Sequence, residues 1–225
     1  MKTIRVTGKG NLKVHPDMMV ITIDLKGLYP DYDETLKHSS EDIELLKDVL
    51  SGFDFERKDL KTLSFDVDPE YESYEEHRGN QKQYKRRLVG YKFTHRLKVE
   101  FLSDNDRLGK ILYALANCSV KPELRISYTV RDRETAKNEL LAKAITDAKE
   151  KAAILTKAAG ITLGTIQSID YSWGEINFEV YPMRKYMECV DYDMAPTLGS
   201  KSYAMDIEPD DIEIADTVTV IWDIE

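Results

Sequence analysis

Between Arg133 and Ala159 the chain sets Ala136, Leu140, Ala144, Ala148, Leu155 and Ala159 at helical spacings. No other stretch restricts the fold as tightly. Asp132 stands where an N-cap acceptor is needed, and Gly160 where a left-handed C′ residue is needed. The spacing predicts one long helix over 133–159. A stripe built mainly of alanine has little side chain to hold a neighbour away, so this helix is expected to lie low on a sheet. The chain must therefore supply that sheet.

It does so with period-two runs. Ile4 and Val6 mark a first strand, ended by a turn at Gly8-Lys9-Gly10, and Met19, Ile21, Ile23 and Leu25 mark a second. Between them His15-Pro16-Asp17 reads as a turn, because proline fixes its own φ and drives the preceding residue out of the helical region. Leu36, Ile43, Leu46 and Leu50 change the period to helical over 33–51, and Gly52 is the stop signal. Leu63, Phe65 and Val67 return to strand, which Pro69 is expected to end. Tyr91, Phe93, His95, Leu97, Val99 and Phe101 form the longest alternating row. A short helix follows at Leu108–Leu115, opened by Asp104 or Asp106, then strands at Leu124–Val130, at Ile166–Trp173 and at Val218–Ile224. No proline interrupts the last run, which predicts a central strand. The order ββαβ, βαβαβ, β predicts an α+β fold with a mixed, largely antiparallel sheet, packed helices and a possible repeat of βαβ-type units. No composition shift marks a linker, so a single domain over 1–225 is expected.

Two segments break the pattern. Residues 69–86 and 174–211 lack apolar periodicity yet hold seven of the 13 tyrosines. Disorder depletes aromatics, so their concentration favours contact surface over a flexible tail. The expected contact residues are Phe178, Tyr181, Met183, Tyr186, Met187, Tyr192, Met194, Tyr203 and Met205. They cover either a sheet face of the same chain or a second copy.

Chemistry is sparse. The chain has no GxSxG elbow, P-loop, GxGxxG or HExxH. No catalytic, cofactor-binding or metal-ligating residue is assigned, and no cofactor is expected. The run Asp66–Glu72 lacks the glycine and spacing of a calcium loop. Cys118 and Cys189 have neither CxxC spacing nor a histidine cluster and read as inert thiols. One weak pocket candidate exists, a cleft at Tyr91 and His95, where a small-molecule binder or enzyme would place its chemistry. A core histidine is the plainer reading. Lys82, Lys85, Arg86 and Arg87 are expected to pair internally.

Charge narrows the partners. With 32 Lys+Arg against 41 Asp+Glu, the formal net charge is −9, unsuited to a main role on nucleic acid, which needs a cationic field. No stretch approaches 18 apolar residues, so no membrane span is expected. The basic start lacks the apolar run of a signal peptide, and Met1 directly precedes the first strand. A cytoplasmic location is therefore expected, or an envelope one if a native leader has been removed.

The assembled motifs resemble the SIMPL-domain family, whose bacterial members include periplasmic and outer-membrane immunogenic proteins. The resemblance rests on Ile4-Arg5-Val6-Thr7-Gly8-Lys9-Gly10 with Pro16-Asp17, on Asp59-Leu60-Lys61-Thr62 with Pro69-Glu70-Tyr71, and on Gly90-Tyr91. It continues through Ala144-Ile145-Thr146-Asp147-Ala148-Lys149-Glu150-Lys151-Ala152, Gly160-Ile161-Thr162-Leu163-Gly164 and Ile207-Glu208-Pro209. It implies an α+β fold, ring-like or channel-like homo-oligomers and a link to bacterial stress tolerance. For the family's namesake it implies a link to a kinase-associated signalling protein. It implies no established enzyme activity and no catalytic residues to carry over. The reading is thus a non-enzymatic assembly or binding protein that forms a homo-oligomer, with room for an unidentified protein partner.

Overall fold

The computed structural model describes residues 2–78, 81–171, 174–182 and 207–225. The fold is α+β, with seven strands and three helices among these residues. The elements run β1 (Lys2–Val14), β2 (Met18–Tyr29), α1 (Tyr32–Ser51), β3 (Lys61–Arg78) and β4 (Gln81–Leu102). They continue α2 (Asn105–Ala116), β5 (Glu123–Thr129), α3 (Arg133–Ala159), β6 (Leu163–Tyr171) and β7 (Ile212–Ile224). The strands form two sheets where one was expected, ordered β1-β7-β6 and β3-β4-β2-β5. The chain groups into two compact units, the first from residues 2–18, 128–182 and 209–225, the second from 19–127 and 207–208. The grouping follows strand pairing rather than chain halves, because the last strand pairs with the first.

In the first unit β7 lies between β1 and β6, antiparallel to both, in the central place that its freedom from proline predicts. Ile4, Val6 and Gly8 stand opposite Trp222, Val220 and Val218. Ala144, Ala148 and Ala152 of α3 seal this face into a core. The expected helix forms over its expected length. Asp132 accepts from the Thr135 N–H at 3.0 Å and from its hydroxyl at 2.7 Å. Gly160 closes it at φ 69°, in the left-handed region. The buried row is stricter than the sequence reading had it. It steps by four through Ala136, Leu140, Ala144, Ala148, Ala152 and Thr156, leaving Leu155 exposed.

The Gly8-Lys9-Gly10 turn is corrected. β1 runs straight through both glycines, which serve close approach instead of a bend. A Cβ on Gly8 would lie 2.0 Å from the Ala144 carbonyl oxygen, and one on Gly10 2.2 Å from that of Leu140. Small residues on both partners bring helix and strand backbones into contact. Asp147 of α3 also accepts from the Lys9 N–H at 2.6 Å, occupying a donor on the edge strand. A second cluster joins Val130, Ala136 and Leu140 to Ile212, Ile214 and Phe178.

In the second unit β2 and β4 form the sheet centre, with Ile21, Ile23, Leu25, Phe93, Leu97 and Val99 buried. Leu46 and Leu50 of α1, and Leu108, Ile111 and Leu115 of α2, complete the apolar interior. Asp104 is the N-cap of α2, accepting from the Arg107 N–H at 2.9 Å. The Arg107 guanidinium lies over the rings of Phe55 and Phe101, 4.5 and 5.3 Å from their centroids. On the opposite sheet face the buried Asp24 takes two hydrogen bonds from Arg96, at 2.7 and 3.3 Å. That contact holds the Asp24 carboxyl below its ordinary range.

Residues 69–86 are not an irregular loop. β3 continues past Pro69 to Arg78 and pairs with β4 in antiparallel register, from Lys61 opposite Lys98 to Arg78 opposite Gln81. Proline is tolerated in an edge strand where its missing donor would have faced solvent, and β3 is the edge of its sheet.

Candidate functional site

His95 sits on β4, in the row that faces the helices. Its Nδ1 lies 3.4 Å from the Ser39 hydroxyl of α1, and its Nε2 lies 3.0 Å from the Thr62 hydroxyl of β3. The Phe65 ring stands 4.8 Å away, centroid to centroid. Both ring nitrogens thus have a hydroxyl neighbour, and the residue is only 6% exposed. Burial pushes its pKa down, favouring the neutral ring. A neutral imidazole sealed between two hydroxyls and a phenyl ring offers a substrate no approach. Tyr91, four residues earlier on the same strand, meets the ring of Tyr32 edge-on at 5.4 Å. Tyr91 and His95 therefore share one face of β4. Cavities of about 470, 400 and 330 Å³ lie elsewhere, against α1 at Glu41 and Leu45, along β1 and β7 at Leu12 and Ile214, and at Ile176 beside Ile214.

The expected contact surface also divides. Phe178 is 4% exposed and belongs to the core, where Ile212, Ile214 and Leu140 surround it. It is held there because Val180 exchanges two backbone hydrogen bonds with Tyr128, at 2.8 and 2.9 Å. Tyr181 is exposed and donates its hydroxyl to Glu179 at 3.2 Å. Met183, Tyr186, Met187, Tyr192, Met194, Tyr203 and Met205 lie outside the described residues. The Cys118 thiol is half-buried against the carbonyls of Leu115 and Val120, and burial pushes its pKa up, away from the reactive thiolate.

A different surface emerges from the segment that the sequence left irregular. Beyond Pro69 and Tyr91 the β3–β4 pair continues as a two-stranded ribbon, with a bulge where the register shifts between Glu70 and Tyr71. Its two faces differ in chemistry. On one, Glu72 pairs with Arg87 and Glu76 with Lys85, while the Arg87 guanidinium lies 5.9 Å from the Tyr74 ring centroid. Lys85 and Arg87 thus pair internally. The other face carries Tyr71, Ser73 and Glu75 opposite Leu88, Arg86 and Tyr84. Here Tyr71 is 55%, Tyr84 75% and Leu88 45% exposed, with Val89 beside them at 39%. Strand alternation puts this face on the side that α1 covers farther down the sheet, where His95 bonds to Ser39. The signal was present in the sequence. Read as sequence, the dipeptide Gly79-Asn80 is a hairpin signal between two runs that alternate, though in tyrosine and charge rather than in leucine and serine.

Comparison with known proteins bears on what this arrangement serves. The profile of the SIMPL family, described as a protein of unknown function (DUF541), matches residues 4–222. The chain is 26% identical over 166 residues to the 26 kDa periplasmic immunogenic protein of Brucella abortus (strain S19). It is 25% identical over 166 residues to the protein of the same name in Brucella melitensis biotype 1. Each of these matches takes in 74% of this chain and 65% of the relative, just under two thirds of its length. The uncharacterized protein YggE of Edwardsiella ictaluri is 23% identical over 218 residues, covering 97% of this chain and 85% of the relative. Relatives named for the periplasm overturn the expectation of a cytoplasmic location, which had rested on the absence of a signal-peptide pattern. No helix among the described residues is long and apolar enough to cross a membrane. The profile match across nearly the whole chain, together with the α+β fold, places this chain in the SIMPL family.

Proposed function

We propose that this chain is a non-enzymatic, self-associating binding protein of the bacterial periplasm. The observation that carries the reading is the β3–β4 ribbon, which leaves Tyr71, Tyr84 and Leu88 exposed on one face. A lone two-stranded ribbon is marginal in water, and an exposed apolar face on one is a liability unless something covers it. Tyrosine suits that role, since it gives a large, stiff contact area with a polar tip. The periplasmic setting is drawn from the names of the Brucella relatives. The rival reading, an enzyme or small-molecule site at His95, is disfavoured by the closed Ser39–His95–Thr62 arrangement. The test is light scattering on the purified chain at micromolar concentration. A mass of two or more chains agrees with the proposal, and a mass of one chain refutes it.

A further inference from the structure

We infer that the open face of the ribbon is a self-complementary surface on which two copies of the chain stack, ribbon on ribbon, about a two-fold axis running along the strands. The inference rests on the self-association proposed above and names the surface that mediates it. Three observations lead to it. The ion-paired face, with Glu72–Arg87 and Glu76–Lys85, has satisfied its charges within the chain and gains little from a partner. The opposite face has not buried its apolar groups. Taking an aromatic side chain as about 200 Å², the exposures of Tyr71, Tyr84, Leu88 and Val89 amount to roughly 400 Å². That is near the limit of what a monomer leaves uncovered and about half of what one partner contributes to a stable interface of ordinary size. Apolar area is therefore concentrated where interface area is needed.

The charges on that face select the orientation. Ser73 stands opposite Arg86 within the ribbon, and Tyr71 opposite Leu88. A two-fold axis across the strands would set β3 over the partner's β3 and, where it passes through the Ser73–Arg86 pair, Arg86 against a second Arg86. An axis along the strands sets β3 over the partner's β4. Each Ser73 then meets an arginine, each Tyr71 meets a leucine, and like charges stay apart. Such a contact is isologous, each ribbon giving and receiving the same pairs. Stacked sheets also tolerate the small rotation that strand twist imposes.

The test uses the full chain with Cys118→Ser and Cys189→Ser, so that introduced cysteines are the only thiols. Differently tagged Ser73→Cys and Arg86→Cys chains are co-expressed, checked by circular dichroism and exposed to a mild oxidant. A second pair combines Ser73→Cys with Tyr74→Cys, which stands on the ion-paired face. The expected result is a mixed disulfide between the Ser73→Cys and Arg86→Cys chains, at several-fold the yield of the second pair. An assembly that persists in native mass spectrometry without that mixed disulfide, or with equal yields from both pairs, overturns this surface and leaves self-association standing. A monomer overturns both, and gives the face to another segment of the same chain or to a different protein.

Discussion

Gly8 and Ala144 are so close that the space for a Cβ on the strand is filled by the carbonyl oxygen of the helix, 2.0 Å from where that carbon would stand. The obstacle is backbone, which cannot rotate away as a flexible side chain would. Gly8→Ala is therefore expected to lower unfolding stability by about 3 kcal/mol or more, at the top of the usual range for overpacking. Gly10→Ala, blocked by the Leu140 carbonyl at 2.2 Å, should do the same. Gly52→Ala is the control. Its φ is −68°, and its nearest neighbour would be 3.4 Å away, so stability should hold or rise slightly. Urea denaturation midpoints of the three variants check the comparison.

Phe178 and Tyr181 were expected on one contact surface, yet only Phe178 is core. Phe178→Ala should cost about 3–5 kcal/mol, as for a buried aromatic ring. Tyr181→Ala should stay within about 0.5 kcal/mol of the parent, as for an exposed position. Thermal unfolding of the pair separates them. Equal effects would contradict the placement of Phe178.

His95 predicts an acid-sensitive fold. Burial lowers its folded pKa below the ordinary value of 6.5, so the unfolded chain binds the proton more readily than the folded one. The stability drawn from a neutral His95 is fully present above pH 6.5 and is lost as pH falls from there through the folded pKa. His95→Gln keeps hydrogen-bonding capacity toward Ser39 and Thr62 without a titrating ring. Unfolding free energy should therefore fall less steeply below pH 6.5 in the variant than in the parent. Parallel slopes in denaturant titrations at several pH values would contradict this.

The Asp24–Arg96 pair responds at lower pH. The hydrogen bonds from Arg96 hold the Asp24 carboxyl below its ordinary 3.8. Its stabilisation is complete above pH 3.8 and is lost as pH falls through the folded pKa. Arg96→Met leaves a buried carboxylate without its donor and should cost about 1–3 kcal/mol. Asp24→Asn with Arg96→Met should recover part of that loss. A double-mutant cycle at pH 7 measures the coupling.

Much of the fold was legible because its elements repeat simply. The alanine row with Asp132 and Gly160 announced α3, and Tyr91 to Phe101 announced the buried half of β4. What misled was residue type read without context. Pro69 reads as a strand terminator, yet an edge position spares it. Gly8 and Gly10 read as a turn, although their lack of side chains admits a helix backbone. The pairing of β1 with β7 joins the two ends of the chain and leaves no local trace, so neither the division into two sheets nor the burial of Phe178 could be read from periodicity. The candidate site fared worse. His95 is packed, as the plainer reading of a core histidine expects and the weaker pocket alternative does not, while the ribbon was hidden because its alternation lies in tyrosines and charges.

The central claim is that the ribbon face holds copies of this chain together. The most direct measurement is native mass spectrometry at micromolar concentration of the parent chain and of a Tyr71→Asp, Tyr84→Asp variant, with circular dichroism confirming that both are folded. The account predicts whole-number multiples of 25.9 kDa for the parent and a marked shift toward the single chain for the variant. A parent found only at the single-chain mass, or a folded variant that assembles as the parent does, would contradict it.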